Sequence, residues 1–261
     1  MNIRQFIRRK TDREWEKFGT DDPYFGVIAD EKYRAAHLTE TGKEAFFRSG
    51  AEYIDYVLGR VRQLFSPDWR IGKALDFGCG VGRLVIPLAT HARAVTGVDV
   101  SDAMLAEARR NCTARSIGNA TFVKSDDDLS RLDQTYDFIH STIAFQHIPV
   151  PRGEHILKRL LTLLEPEGIG VLHFSYAEPR RASWAARINH LAIDYLPFYR
   201  NVRNARKGRG FFYPEMRMHA YDMSAILSIL QTAGIANFHA EFTDHGGFLG
   251  ITLYFRKPRS D

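Results

Sequence analysis

The chain is poor in several features that would assign it to a specialised class of protein. It has only two cysteines in 261 residues, which excludes a fold held together by a framework of disulfides. No apolar run reaches the roughly 18 residues that a membrane-spanning helix needs. The amino terminus begins Met1-Asn2-Ile3-Arg4 and lacks the apolar core of a signal peptide. We therefore expect a soluble protein of a reducing compartment, the cytoplasm.

Charge of one sign is not abundant either. The sequence has 36 Lys and Arg against 31 Asp and Glu, a formal net charge of +5. Such a mild excess is more typical of solubility than of a nucleic-acid footprint, and no recognised RNA- or DNA-binding motif is present. A nucleic-acid partner is not favoured by these numbers, but it stays open. The 44% of apolar residues and the length suit one α/β domain with additions.

One stretch, Ala74 to Arg83, organises the rest of the chain. An apolar run ends in Asp76, three glycines follow at alternate positions, and an apolar helical pattern begins at Leu84. This order predicts a strand, a tight loop and a helix, the first βα unit of a nucleotide-binding sheet. Glycines remove Cβ atoms where the backbone turns sharply and a ligand lies against it.

Two kinds of ligand compete for such a loop. A dinucleotide requires the spacing G-x-G-x-x-G. Counted from Gly78, the last position of that spacing is Arg83, and counted from Gly80 it is Val85, so the pattern fails in both registers. Asp76 at the strand end would also repel a pyrophosphate, whereas it would attract a ligand that carries an amino group and a sulfonium. An NAD-dependent oxidoreductase is therefore the less favoured alternative.

The pattern Asp-x-Gly-x-Gly-x-Gly resembles the first motif of class I S-adenosylmethionine-dependent methyltransferases, and the segment Val98–Leu105 resembles their second motif. Asp99 ends the predicted second strand, where a carboxylate accepts hydrogen bonds from both hydroxyls of a ribose. Met104 matches a position that packs near the adenosine in that family. Ser101 is predicted to cap the following helix.

A third part of the resemblance lies after the predicted strand Thr121–Lys124. Asp126 best matches the acid that accepts the adenine amino group in the family, with Asp127 as the second choice. A metal site made by Asp126, Asp127 and Asp128 is less favoured, because adjacent side chains of an extended segment alternate in direction. The resemblance implies S-adenosylmethionine as cofactor, S-adenosylhomocysteine as product, and a cofactor site drawn from these residues: Asp76, Gly78, Cys79, Gly80, Gly82, Asp99, Val100, Met104, Asp126, Asp127, Ser141 and Thr142.

The loop after the predicted fourth strand, Thr142 to Pro149, should lie where methyl donor and acceptor meet, because ligands bind outside the carboxyl ends of the strands. His147 is a candidate general base, and the alternative is that its ring braces the loop through the backbone. Metal-dependent O-methyltransferases carry an acidic ligand at the end of this strand. Ser141 and Thr142 stand there instead, so no catalytic metal is expected.

A hairpin is predicted near the carboxyl end, with Asp244-His245-Gly246-Gly247 as its turn. The family's sheet ends in such a hairpin, whose turn lies on the active-site side. His245 is therefore a second candidate base, and the alternative is an ordinary turn residue. The segment type Asn/Asp-Pro-Pro-Tyr of amino-methylating relatives is absent, which disfavours methylation of nucleobases or protein amides.

Two regions lie outside the core pattern. Residues 1–70 are predicted to form an N-terminal helical extension or cap, with an aromatic loop from Trp15 to Phe25 and a helix over 42–65. Residues 71–261 would form the methyltransferase domain, with an inserted lid over about 176–222. In that lid an apolar stripe precedes a basic and aromatic run. The stripe comprises Trp184, Ile188, Leu191, Tyr195 and Leu196, and the run comprises Phe198, Tyr199, Arg200, Arg203, Arg206, Lys207, Arg209, Phe211, Phe212 and Tyr213.

The expected fold is α/β, with a doubly wound, mostly parallel sheet of seven strands, an N-terminal helical extension and an insertion after strand 5. The predicted strands are Ala74–Phe77, Ala94–Asp99, Thr121–Lys124, Tyr136–Ser141, Gly170–Ser175, Asn237–Thr243 and Phe248–Phe255. The expected activity is metal-independent methyl transfer to an oxygen or nitrogen of a small molecule or glycan-like acceptor, anionic or polyhydroxylated. The alternatives are a non-catalytic S-adenosylmethionine-binding regulatory protein and an RNA methyltransferase that uses the basic insertion.

Overall fold

A computed structural model describes residues 3–177, 213–245 and 247–259, with side chains from residue 11 onward. Its strands are β1 (Ile71–Phe77), β2 (Ala92–Asp99), β3 (Ala120–Lys124), β4 (Tyr136–Ser141), β5 (Leu164–Ala177), β6 (Phe238–His245) and β7 (Phe248–Arg256). They form one sheet in the order β3-β2-β1-β4-β5-β7-β6. Strands β1 to β5 are parallel, and β7 runs antiparallel to both of its neighbours. The predicted doubly wound sheet is confirmed.

Helices cover both faces of this sheet. They are α1 (Ile3–Asp21), α2 (Pro23–Val27), α3 (Glu40–Leu64), α4 (Val85–His91), α5 (Asp102–Ala114), α6 (Val150–Leu163) and α7 (Met223–Thr232), with short 3₁₀ turns at Glu31–Tyr33 and Phe145–His147. Side-chain caps fix where three of them begin. Thr39, Ser101 and Asp222 each accept a hydrogen bond from a backbone N–H of the first turn of α3, α5 and α7.

The prediction of an aromatic loop from Trp15 to Phe25 is wrong. Helix α1 continues to Asp21, and α2 begins at Pro23 after a single linking residue, because proline is favoured in the first turn of a helix. Gly19 lies within α1, where the helix passes close to the start of α5. A Cβ on Gly19 would lie 2.6 Å from the Ser101 hydroxyl, so a larger residue would not fit.

The start of β5 was also predicted wrongly. The sequence predicts this strand from Gly170, but β5 begins at Leu164 and contains Pro166 and Gly168. The pairing of β4 with β5 is irregular at this end, and Glu167 has a φ of +64° there. A local sequence pattern does not separate such a bulge from a turn.

The apolar core lies on both faces of the sheet. Helices α6 and α7 cover one face, where Phe145 and Phe174 pack together. Helices α3 and α4 cover the other face, around Phe138 and Leu88. A third cluster joins α1, α2 and α3 to the start of α5 and centres on Phe46. No helix in the described part of the chain combines the length and apolar character that crossing a bilayer demands.

The predicted lid falls mainly on residues 178–212, so the apolar stripe and nearly all of the basic and aromatic run lie outside the described residues. Its described end returns to the domain. Tyr213 packs in the cluster around Phe46, and the Tyr221 backbone N–H donates to the Ser175 carbonyl at 2.8 Å. The lid and the division into cap and domain stay predictions.

Candidate functional site

A cavity that is open to solvent lies at the carboxyl ends of β1, β2 and β4, where the strand order reverses. Its floor is the loop after β1, the end of β2 and the loop after β4, and its cover comes from α1 and α2. The lining residues include Thr11, Asp12, Trp15, Gly26, Val27, Gly78, Gly80, Asp99, Val100, Met104, Ser125, Thr142, Ile143, Ala144, His147 and Arg152.

The glycine loop forms a cradle without side chains on the cavity floor. The N–H groups of Gly78 and Cys79 donate to the Val98 carbonyl at 2.8 and 3.0 Å, which ties the loop to β2. Gly78 has a φ of +77° and Gly80 a φ of +50°. A Cβ on Gly78 would lie 2.3 Å from the Ala144 Cβ, so any side chain would collide with the loop after β4.

Asp99 presents its carboxylate to the cavity from the end of β2. Its Oδ2 accepts from the Gly80 N–H and its Oδ1 from the Ser101 N–H, both at 2.9 Å. Burial raises the pKa of Asp99 to about 6, although these backbone donors act in the opposite direction. The group is therefore mostly ionised at pH 7. It is held in a fixed orientation, and its remaining lone pairs can accept from hydroxyl donors.

The acid after β3 does not reach the cavity as predicted. Asp126 instead accepts from the backbone N–H and the hydroxyl of Ser130. These bonds outweigh desolvation and hold the pKa of Asp126 below its usual value. Ser125 lines the cavity in its place, and its N–H donates to the Asp99 carbonyl at 2.8 Å.

Arg152 links the cover of the cavity to its wall. Its guanidinium lies 2.6 Å from Asp12 of α1 and 2.5 Å from Asp127 of the loop after β3. The arginine side chain is only 13% exposed, so these ion pairs are shielded from solvent more than a surface pair. Sequence reasoning missed Thr11, Asp12, Trp15 and Arg152, because no local motif marks a helix that folds back over a distant site.

His147 lines the cavity, and both of its ring nitrogens have neighbours. Its Nδ1 lies 2.7 Å from the Arg217 carbonyl, and its Nε2 lies 3.2 Å from the Gln146 side-chain nitrogen. Burial lowers the pKa of His147 to about 4, so the ring is neutral at pH 7. The Trp15 ring packs edge-on against it. The contact with the Arg217 carbonyl braces the loop, as the alternative prediction for His147 expects. To act as a base, Nε2 would have to leave the Gln146 side chain and face the methyl acceptor.

His245 lies elsewhere, at the end of the edge strand β6. Its ring contacts that of His173 at 5.2 Å between centroids, and burial lowers its pKa. The expected turn is shorter than predicted, because Asp244 and His245 belong to β6. His245 does not line the cavity.

Asp76 points away from the cavity. Its Oδ1 lies 2.8 Å from the Nδ1 of His140, its register partner on β4, and both side chains are buried. Ser141 likewise turns inward and donates to the Phe77 carbonyl at 2.9 Å.

Of the predicted cofactor residues, those that line the cavity are Gly78, Gly80, Asp99, Val100, Met104 and Thr142. Those that do not are Asp76, Cys79, Gly82, Asp126, Asp127 and Ser141.

Among the described residues, no group of three or more His, Cys, Asp or Glu side chains is arranged to hold a metal ion.

Comparison with known proteins points to one kind of chemistry. Residues 74–168 match a family described as a methyltransferase domain. The chain is 28% identical over 192 residues to an uncharacterized methyltransferase of Oceanobacillus iheyensis, covering 69% of this chain and 86% of that protein. It is 42% identical over 62 residues to a 23S rRNA (uracil(1939)-C(5))-methyltransferase of Photobacterium angustum, but that match covers only 28% of the enzyme.

A solved structure extends the comparison to the whole fold. The magnesium protoporphyrin IX methyltransferase of Synechocystis PCC 6803 with bound SAH superposes with a TM-score of 0.62 at 21% identity. The superposition covers 97% of this chain and 100% of that one. The matched domain, 74–168, contains the glycine loop, the end of β2 and the loop after β4.

Proposed function

We propose that this chain, which is a class I S-adenosylmethionine-dependent methyltransferase, transfers its methyl group to an oxygen or nitrogen of a small-molecule or glycan-like acceptor without a metal ion. The observation that carries this proposal is the carboxylate of Asp99, which two backbone N–H groups fix at the edge of a glycine-lined cavity.

S-adenosylmethionine is the methyl donor, and the cavity residues fit it. We infer that Asp99 accepts from the two ribose hydroxyls, because it carries negative charge and has free lone pairs on the cavity side. The backbone at Gly78 and Gly80 lines the cavity, and we infer that the methionine part lies along it. Met104 offers an apolar contact for the adenine, since its side chain lines the cavity together with Asp99 and Val100. Ser125 supplies polar atoms at the same end.

The chain's contribution to the reaction is positioning. The bound cofactor supplies an activated methyl group on a sulfonium whose thioether leaves readily. The protein must hold that group in line with the acceptor and keep water away. Helices α1 and α2 cover the cavity, and the ion pairs of Arg152 hold α1 in place.

Two comparisons bear on the acceptor class. The superposed structure at 21% identity is that of an enzyme named for a small molecule, but this degree of likeness shows the fold alone. The match to the rRNA enzyme spans too little of it to favour an RNA acceptor. We therefore keep a small acceptor with an ionisable or hydroxyl group. We also propose a cytoplasmic location, which the free, buried thiols of Cys79 and Cys112 support.

Two measurements test the proposal in sequence. Calorimetric titration with S-adenosylhomocysteine should show one site per chain. Release of S-adenosylhomocysteine from S-adenosylmethionine should then depend on one member of a panel of catechol, glucose, benzoic acid and benzylamine. Binding without release from any of these would favour the regulatory alternative. Release that requires RNA, and none of the panel, would favour the RNA enzyme.

A further inference from the structure

Three polar side chains form a buried line on the α3 side of the sheet. Asp76 of β1 lies 2.8 Å from the Nδ1 of His140 on β4, and the Nε2 of His140 lies 3.3 Å from the hydroxyl of Tyr53 on α3. Asp76 is 2% exposed and His140 is fully buried. Buried polar groups of this kind are costly unless each one is paired, so the arrangement demands an explanation.

The donor and acceptor roles along this line are assigned from its chemistry. We assign Nδ1 of His140 as the donor to the Asp76 carboxylate. Its Nε2 is then the acceptor for the Tyr53 hydroxyl. The order of groups, a carboxylate, an imidazole and a hydroxyl, is the one that activates nucleophilic hydroxyls in hydrolases.

The far end of the line lies beside a residue of the cofactor cavity. The Tyr53 hydroxyl interacts with the Thr142 side chain, and Thr142 lines the cavity. Tyr53 is itself partly exposed. Burial raises the pKa of Tyr53 to about 12, so it stays protonated at neutral pH and can pass a proton on only when it receives another.

Other ionisable groups surround this line. Arg83 lies near Tyr53 from the start of the α4 region, and Glu241 of β6 and Tyr254 of β7 approach it from the sheet. His173 of β5 lies near His140. Burial lowers the pKa of His173 to about 3, so it adds no positive charge beside His140 at neutral pH.

We propose that Tyr53 is a catalytic residue that takes the proton of the acceptor, with His140 as its base and Asp76 as the positioning residue for His140. The inference rests on the proposed function and adds a base to it. When the acceptor oxygen or nitrogen bonds to the methyl carbon, its proton passes to the Tyr53 oxygen while the Tyr53 proton passes to His140 Nε2. The electrons of the broken S–C bond stay on sulfur, and the positive charge of the sulfonium ends on the His140 imidazolium beside Asp76.

This assignment differs from the earlier candidate, His147. The Nε2 of His147 faces a side-chain amide and its Nδ1 faces a carbonyl, so its ring is held on both sides. The Nδ1 of His140 also has an oxygen partner, the Asp76 carboxylate. Its Nε2, however, faces the Tyr53 hydroxyl, which can exchange protons. The acceptor is thereby placed next to Thr142, on the α3 side of the cofactor cavity.

The test compares two tyrosines of the same helix. Tyr53→Phe removes the hydroxyl at the end of the line, and Tyr56→Phe is the matched control, because the Tyr56 hydroxyl contacts Glu241 on the protein surface. On the panel compound that the wild type methylates fastest, Tyr53→Phe should lower kcat by about 100-fold, a typical contribution of general base catalysis. Its KM for S-adenosylmethionine should stay within threefold of the wild-type value, and Tyr56→Phe should keep kcat within twofold.

The pH profile separates a proton relay from a structural brace. In the wild type, kcat should depend on pH because a relay needs an unprotonated base, and in Tyr53→Phe this dependence should disappear. A Tyr53→Phe variant with wild-type kcat and pH profile would overturn the relay. A wild type that turns over no panel compound would count against the proposed function instead.

A second measurement needs no acceptor. Nitrogen-15 NMR of the histidines in the S-adenosylhomocysteine complex, assigned with His140→Asn, should show His140 neutral at pH 7.5 with the proton on Nδ1. In Tyr53→Phe the Nε2 signal should shift, because it loses its hydrogen-bond donor. A doubly protonated His140, or a proton on Nε2 instead of Nδ1, would overturn the relay.

Discussion

Replacing Asp99 by alanine is the sharpest perturbation of the proposed cofactor site. The substitution removes the carboxylate that we expect to accept from two ribose hydroxyls, and it leaves the N–H groups of Gly80 and Ser101 without their partner. A hydrogen bond to a charged group contributes about 1.5–3 kcal/mol. Water that enters the vacated space offsets part of two such bonds, so we expect a loss of about 3 kcal/mol.

That loss corresponds to roughly 150-fold weaker binding of S-adenosylhomocysteine, since every 1.4 kcal/mol is about tenfold in affinity. Isothermal titration calorimetry at pH 7.5 measures it directly. Asp102→Asn is the matched control, because Asp102 lies three positions away in sequence, the substitution also removes a charge, and its ion pair with Lys124 lies on the surface. Its affinity should stay within twofold of the wild type. An Asp99→Ala affinity within threefold of the wild type would refute the ribose assignment.

Three further predictions address the loop, the cover and the charge of the site. Because burial raises the pKa of Asp99 to about 6 and ribose hydroxyls favour its ionised form, affinity for S-adenosylhomocysteine should be constant above about pH 7. It should fall below pH 6 by up to about tenfold per pH unit, and titrations from pH 5 to 8 that gave a flat profile would contradict this. Gly78→Ala should lower the free energy of unfolding by about 1–3 kcal/mol and abolish tight binding of S-adenosylhomocysteine. The new Cβ would collide with Ala144, and the backbone at this position has a positive φ. Chemical denaturation measures the first effect and calorimetry the second. Arg152→Gln should free α1 and speed the dissociation of S-adenosylhomocysteine about tenfold in stopped-flow measurements. Arg159→Gln on the same helix is the control and should leave the dissociation rate unchanged. Equal rates in both variants would show that α1 does not cover the site.

The sheet and the floor of the site were predictable from local sequence. Apolar runs that end in an acid or a glycine loop mark the strands, and the carboxyl ends of parallel strands meet at one edge. The local pattern therefore predicts that Gly78, Gly80 and Asp99 lie together, and all three line the cavity.

The rest depends on contacts that no local pattern encodes. Asp76 was assigned to the cofactor, yet the β1–β4 register places it beside His140. Three consecutive acids look equivalent in sequence, but Ser130 draws Asp126 into its own turn while Arg152 pairs with Asp127. The cover of the cavity comes from α1, about 70 residues before the glycine loop, and its aromatic residues follow a helical pattern that was mistaken for a loop.

The central claim is that the cavity under α1 binds the methyl donor with its ribose on Asp99. A crystal structure of the chain with S-adenosylhomocysteine tests it most directly. We expect both ribose hydroxyls at about 2.7 Å from the Asp99 carboxylate, with the adenine between Met104 and Ser125. A ligand bound outside this cavity, or a ribose that does not touch Asp99, would contradict it.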